Sequence, residues 1–272
     1  MNPESLDLRA HFGLRAVPFT RELRIEERWD HAMLDEATRD LVTAVHNRMC
    51  AALIAPAGTG KTVTLRAVRT ALPESRFRVH YVKVTALSRR DFTRELCRVV
   101  QVETTGHYNT LVERFQQRAA ALLDQESTRP LLLIDEAHDM RPDVLASVRV
   151  LTNFEMDSRL VLSVIIAGQG GLRDLLRRPE LEALTRRLAH VATLRLLSRA
   201  ETSDYVDHRL RIAGASTPIF APAALDAIHE IAGGNLRAID HLAFKALERA
   251  ARSGHKNVAV EHIMAARQAL LP

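Results

Sequence analysis

The chain has 272 residues, enough for one large α/β domain or for a core domain with a smaller appendage, and enough to bury a sizeable core. Its composition, 47% hydrophobic and 26% charged, is that of a globular protein, and Gly and Pro gather into no low-complexity stretch. Aromatic residues make up only 4%, too few for a base-stacking platform, while 38 Lys+Arg against 33 Asp+Glu leave a charge of +5, carried mostly by arginine, which suits a polyanionic partner.

Cys50 and Cys97 form neither a metal-ligand spacing nor a disulfide framework, and read as core residues of a reducing compartment. Met1 to Ala10 lacks the basic-then-apolar order of a signal segment, and no run approaches the roughly 18 apolar residues of a membrane span. The expectation is a cytoplasmic protein with no membrane contact.

In chain order, His11-Phe12-Gly13-Leu14 with Pro18-Phe19 opens a lead-in, followed by a helix from Asp35 to Asn47. An apolar strand, Cys50 to Ala55, enters a Pro- and Gly-containing turn and a helix, Lys61 to Leu72, stopped by Pro73. A second strand spans Arg78 to Thr85, with a helix from Ser88 to about Val100 and another over Leu111 to Asp124. Leu131 to Ile134 is a continuous apolar run, the pattern of a strand buried on both faces of a parallel sheet. A helix over Pro142 to Phe154, a strand over Leu160 to Ala167, a helical stretch over Leu172 to Leu188 and a strand over Val191 to Leu196 complete the alternation. This order predicts an α/β fold with a doubly wound parallel five-stranded sheet and ligands at the carboxyl ends of the strands.

From Ser198 the pattern changes. Ser198 with Glu201 forms a capping box, and helices follow with turns at Gly214 to Pro218, Gly233-Gly234 and Gly254. The expected division is a lead-in over 1–49 packed on the core, a nucleotide-binding α/β core over 50–197, and an all-helical lid domain over 198–272.

The segment Ala55-Pro56-Ala57-Gly58-Thr59-Gly60-Lys61-Thr62 fits the phosphate-loop pattern, with Ala55 where the first glycine stands. Gly58 and Gly60 let backbone N–H groups turn onto phosphates, Lys61 neutralises the β- and γ-phosphates, Thr62 offers a hydroxyl to Mg²⁺, and Val63 continues the first helical turn. Ala55 is harmless if its φ is negative and costly if positive. Asp135, closing the apolar strand, is placed to hold Mg²⁺, and Glu136 to polarise the water that attacks the γ-phosphate. The expected cofactors are therefore ATP and Mg²⁺, and the expected activity is ATP hydrolysis.

Gln169 follows the fourth strand, as a γ-phosphate sensor or as a loop-capping amide. Arg186 and Arg187 precede the fifth strand, where an arginine can act in trans on a neighbouring subunit's nucleotide or simply cap a helix. Arg237 opens a helix in the helical domain and can serve as a second sensor or as an exposed helix arginine. His138 reads as a solvated loop histidine.

Together these residues resemble the AAA+ superfamily, and within it the ExeA-like ATPases, with the transposition regulators of the TniB, TnsC and MuB kind as the nearest likeness. The features carrying the likeness are His11 to Leu14 with Pro18-Phe19, Ala167-Gly168-Gln169 with Leu172-Arg173, and Tyr205 to Gly214. The resemblance points to Arg187 rather than Arg186 as the finger.

It also implies sequence-tolerant binding of duplex DNA through Lys83, Thr85, Arg89 and Arg90, self-assembly into a ring or filament with ATP, and engagement of a transposase. Because the secretion ATPases of this family carry a membrane span and a wall-binding region after the ATPase, and the sequence stops at Pro272, the expectation favours a regulator of DNA transposition. The alternatives are an ExeA-type secretion or envelope-assembly ATPase, and a helicase or replication loader.

Overall fold

The computed structural model describes residues 7–83 and 86–270, which fall into two units. In chain order, a short N-terminal helix α1 (Leu8–Phe12) precedes α2 (Ala32–His46), β1 (Cys50–Ile54), α3 (Lys61–Ala71), β2 (Phe77–Lys83), α4 (Arg89–Val99) and α5 (Tyr108–Asp124). Then come β3 (Arg129–Asp135), α6 (Pro142–Leu151), β4 (Ser163–Gly168), α7 (Gly170–Leu176), α8 (Glu182–Thr185) and β5 (Leu188–Thr193). Helices α9 (Arg199–Ile212), α10 (Pro222–Ala232), α11 (Leu236–Arg252) and α12 (Val260–Leu270) follow. One unit runs from His31 to Leu194; the other joins the N-terminal residues through Asp30 to the chain from Arg195 onward. The N-terminal stretch is thus divided, with α2 in the sheet unit and α1 among the C-terminal helices.

The sheet has five strands in the order β2-β3-β4-β1-β5, and every pairing is parallel. The three central strands are buried almost along their whole length, which explains the unbroken apolar runs Cys50–Ile54, Leu131–Ile134 and Val164–Ala167. The edge strands β2 and β5 mix buried and exposed residues, so their apolar signal is diluted. Phe92, Leu96, Leu111 and Phe115 of α4 and α5 lie in one fully buried cluster with Leu132 and Ile134 of β3 and Val164 and Ile166 of β4.

Several sequence-derived boundaries move, and three of the shifts have a clear cause. The helix expected over 172–188 is two helices separated by a 3₁₀ turn at Pro179–Leu181, because Pro179 has no N–H and its ring clashes with the preceding turn. The fourth strand begins at Ser163 rather than Leu160, which is 48% exposed and follows a left-handed turn. The fifth strand runs over Leu188–Thr193, three residues before the expected 191–196, because its register is set by pairing with Cys50–Ile54.

In the helical unit, the expected capping box is present: the Ser198 hydroxyl accepts from Glu201 N–H while the Glu201 carboxylate accepts from Ser198 N–H at 2.7 Å. Gly234 has φ +74°, and a Cβ there would come within 2.1 Å of the Leu197 carbonyl oxygen, so a side chain would collide with backbone. The N-terminal motif is a strap on these helices. Gly13 caps α1 in the left-handed conformation, Arg15 N–H donates to the Ala213 carbonyl at 2.8 Å, and Phe19 packs edge-on against Phe220. Arg209, only 5% exposed, donates to the carbonyl of Thr20, to the Tyr205 hydroxyl and to Asp240. Burial outweighs the neighbouring Arg209 and pushes the Asp240 carboxyl up to about 6.

Candidate active site

The loop after β1 is shaped by its two glycines: Gly58 has φ +74° and Gly60 φ +99°, left-handed conformations that a side chain resists, and Gly60 leads directly into α3. Thr59 stiffens the loop by donating its hydroxyl to the Pro56 carbonyl at 2.8 Å. Ala55 is fully buried, donates its N–H to the Gly168 carbonyl at 3.0 Å, and is not among the positive-φ residues, so the alanine sits without strain where the pattern has glycine.

Lys61 is 7% exposed, yet its ammonium has no ion-pair partner among the described residues. A lysine whose body is held by the fold and whose ammonium is not used among the described residues leaves that charge to meet an anionic ligand such as the phosphates of ATP. Thr62 and Val63 occupy the next positions of α3, with Thr62 exposed at the helix N-terminus.

Asp135 closes β3 and is 3% exposed. Its carboxylate is fixed from two sides, accepting from the Tyr81 hydroxyl at 3.0 Å and from the Glu136 N–H at 2.8 Å. Burial and the adjacent Asp135 push the Tyr81 hydroxyl up to about 12, so tyrosine remains a donor across the physiological range. With the Thr62 hydroxyl, Asp135 supplies the hard oxygen donors that magnesium takes. When bound there, the ion would neutralise charge on the β- and γ-phosphate oxygens.

Glu136 adopts a left-handed backbone, φ +57° and ψ +32°, strained for a non-glycine residue by about 1 kcal/mol or more. The chain then closes a 3₁₀ turn over Ala137–Asp139. Neither Tyr81 nor His138 was singled out from the sequence as a site residue. The register carried a signal for Tyr81, which lies two residues before Lys83, the strand partner of Asp135, and therefore on the same face. For His138 the solvated reading is corrected: its side chain is 15% exposed and lies beside Glu136.

Gln169 is the N-cap of α7 and makes no capping bond with its side chain, which removes the capping-amide alternative and leaves the amide available. Arg187 is engaged within its own chain, donating to the Thr152 hydroxyl at 3.0 Å and to Asp157 at 2.6 Å, in an open depression also lined by Arg149, Glu182 and Arg186. Arg186 is 78% exposed and pairs with Glu182 in the helix before it.

Of the residues implied to meet DNA, Arg89 donates to the Asp143 carbonyl at 3.0 Å and Arg90 to the Gly106 carbonyl at 3.1 Å. Lys83 is exposed at the end of the edge strand, and Thr85 lies outside the described residues. Arg237, in the helical unit, is exposed in the first turn of α11 with no acidic partner among the described residues, a placement the helix dipole disfavours unless an anion is bound.

Residues 44–176 match the family model described as "AAA domain". Over 204 residues, 74% of this chain, the sequence is 34% identical to General secretion pathway protein A of Aeromonas hydrophila, and it spans 37% of that protein's length. Similar solved structures include Cdc6p from Pyrobaculum aerophilum, with a TM-score of 0.75 at 18% identity over 93% of this chain and 70% of that one. They also include the Aeropyrum pernix ORC1 protein in complex with DNA, TM-score 0.68 at 19% identity over 93% and 68%. The Thermotoga maritima RuvB Holliday junction branch migration motor matches with a TM-score of 0.59 at 13% identity over 93% and 73%.

These likenesses establish an AAA+-type fold. The secretion-pathway match overturns the nearer likeness to transposition regulators: this chain is related by sequence to ExeA/GspA-type ATPases. The 34% identity outweighs the expectation built on Pro272, and the matched region is 37% of the compared protein's length.

Proposed function

From an ATP-hydrolysing enzyme of the AAA+ type, we propose that this chain is the nucleotide-driven module of an ExeA-type secretion or envelope-assembly system, in which ATP governs contact with a protein partner. The observation that carries the reading is the 34% identity to General secretion pathway protein A across 204 residues, 74% of this chain. Among the described residues no helix is long and apolar enough to cross a membrane.

The chemistry follows from the side chains. Lys61 and the backbone of the loop 55–62 hold the triphosphate and orient its terminal group. Thr62 and Asp135 hold magnesium, with Tyr81 keeping the Asp135 carboxylate in place. Glu136 accepts a proton from the attacking water, and Gln169, uncommitted to its helix, orients that water or the γ-phosphate. Arg187 acts on the nucleotide of a neighbouring copy, so ATP links copies into an oligomer. Arg237 reports the nucleotide state to the helical unit.

The test is light scattering and ATP turnover of the purified chain with ATP or ADP, wild type against Arg187→Ala. Assembly with ATP alone, with turnover lost in Arg187→Ala, supports the reading; a monomer in every nucleotide state, with turnover unaffected by that substitution, overturns the assembly part.

The charge of +5 favours a second reading, sequence-tolerant binding of duplex DNA, with Lys83 at the exposed edge and Arg89 and Arg90 released from their carbonyl partners. Fluorescence anisotropy with a labelled duplex separates the two: ATP-dependent, steeply salt-sensitive binding favours DNA, and its absence at low salt leaves the protein partner.

A further inference from the structure

The turn after β3 contains two buried side-chain atoms without a hydrogen-bond partner, Glu136 Oε2 and His138 Nδ1. They face each other at 3.5 Å. On the other side of the imidazole, Nε2 lies 3.6 Å from Asp139 Oδ1, so the ring stands between two carboxylates. The ring's backbone is held in place: a Cβ added at Gly168 would lie 3.1 Å from His138 N and 3.0 Å from the Leu172 side chain, so the end of β4 packs tightly on this turn. Met140 N–H closes the turn on the Ala137 carbonyl at 3.2 Å.

An acceptor and a potential donor, each buried and each orphaned, carry the full desolvation penalty of unmade bonds. They are also side by side on the residue the chemistry needs. Satisfying both requires only that 3.5 Å shrink by about half an ångström to reach hydrogen-bond distance.

We propose that His138 is the positioning residue for Glu136. Its Nδ1–H takes Oε2 of the carboxylate, which turns Oε1 toward the water that attacks the γ-phosphate. Asp139 stands on the far side of the ring, its Oδ1 3.6 Å from Nε2, and the packing of the turn against Gly168 and Leu172 holds the histidine's backbone in place. The histidine touches neither nucleotide nor water and keeps its proton throughout. As the water oxygen bonds to the γ-phosphorus and the bond from phosphorus to the leaving oxygen of ADP breaks, the water's proton goes to Glu136 and on to solvent.

This inference rests on Glu136 as the water-polarising group, and the experiment separates the two. Turnover, KM for ATP, the dissociation constant for a fluorescent ATP analogue and the melting temperature are measured for His138→Leu, His138→Asn, Glu136→Gln and the Glu136→Gln/His138→Leu pair. Asparagine can place an amide N–H where Nδ1 stands; leucine cannot.

The expected result is a loss of roughly tenfold or more in kcat for His138→Leu, with nucleotide affinity within about twofold of wild type, and recovery of most of the rate in His138→Asn. The double variant should be no slower than Glu136→Gln alone, because both substitutions disable one device. Full turnover in His138→Leu, or equal losses of rate, affinity and melting temperature in His138→Leu and His138→Asn, would overturn the positioning role. Wild-type turnover in Glu136→Gln would instead sink the reading of Glu136, and this inference with it.

Discussion

Two regions of this molecule bury charged side chains, and they differ in how far each charge is met by a partner. In the helical unit, Arg209 meets Asp240, the Tyr205 hydroxyl and the Thr20 carbonyl through its two terminal nitrogens, leaving Nε unbonded, with its guanidinium also over the rings of Phe19 and Tyr205. In the turn after β3, Glu136 and His138 each leave a buried atom unbonded, and the carboxylate sits on a left-handed backbone. Lys61, in the same unit, is 7% exposed and its ammonium has no ion-pair partner among the described residues. A network whose ionic charges meet each other holds a structure together even with one nitrogen left unbonded. One left open, at a cost in stability, has its bonds completed by a ligand or a reaction step.

The sharpest way to break this contrast is Lys61→Ala. Because the ammonium makes no ion pair among the described residues, removing it should leave the melting temperature nearly unchanged while nucleotide affinity falls by about two orders of magnitude, about 2.7 kcal/mol, read by titration with a fluorescent nucleotide. A destabilised protein that still bound ATP normally would mean the lysine is structural.

Arg209→Met should do the reverse. It strands Asp240 in the interior and costs about 3–5 kcal/mol by chemical denaturation of the helical unit, with nucleotide affinity of the folded molecules unchanged.

The same network has a pH signature. The Asp240 carboxyl is raised from 3.8 to about 6, so its contribution to stability is fully present below pH 3.8 and is lost as pH rises through about 6. The shift corresponds to roughly 3 kcal/mol, and denaturant midpoints should show that slope in wild type and a flatter one in Asp240→Asn.

The smallest effect belongs to Ala55→Gly. Because Ala55 is not in a positive-φ conformation, restoring the usual glycine should cost about 0.5–1 kcal/mol of stability through the unfolded chain and change nucleotide affinity less than about twofold.

How much of this was legible beforehand depended on the range of the signal. The central strands announce themselves because burial on both faces demands an unbroken apolar run, as in Leu131–Ile134. Val191 misled because an edge strand is half exposed: it is 52% exposed, and the strand actually starts at Leu188. Pro179 was a local stop signal that the surrounding leucines concealed. In the candidate site, the loop 55–62 and the pair Asp135-Glu136 were legible from residue types and order alone. Tyr81 and His138 were not, since what matters about them is the atom each one faces.

By itself, then, the amino-acid order determined the nucleotide loop, the acidic pair at a strand end, the parallel sheet and the helical C-terminal part. Each rests on contacts within a few residues or on a burial pattern repeated along one strand. The tertiary structure alone decided that the Phe19 segment straps onto the helices through Arg209, that Arg187 is held by Asp157, and that the His138 ring stands against the Glu136 carboxylate. The first two join residues 189 and 30 positions apart, and the third depends on a left-handed turn wedged against Gly168. Burial and close packing specify such meetings, and no local pattern of residue types encodes them.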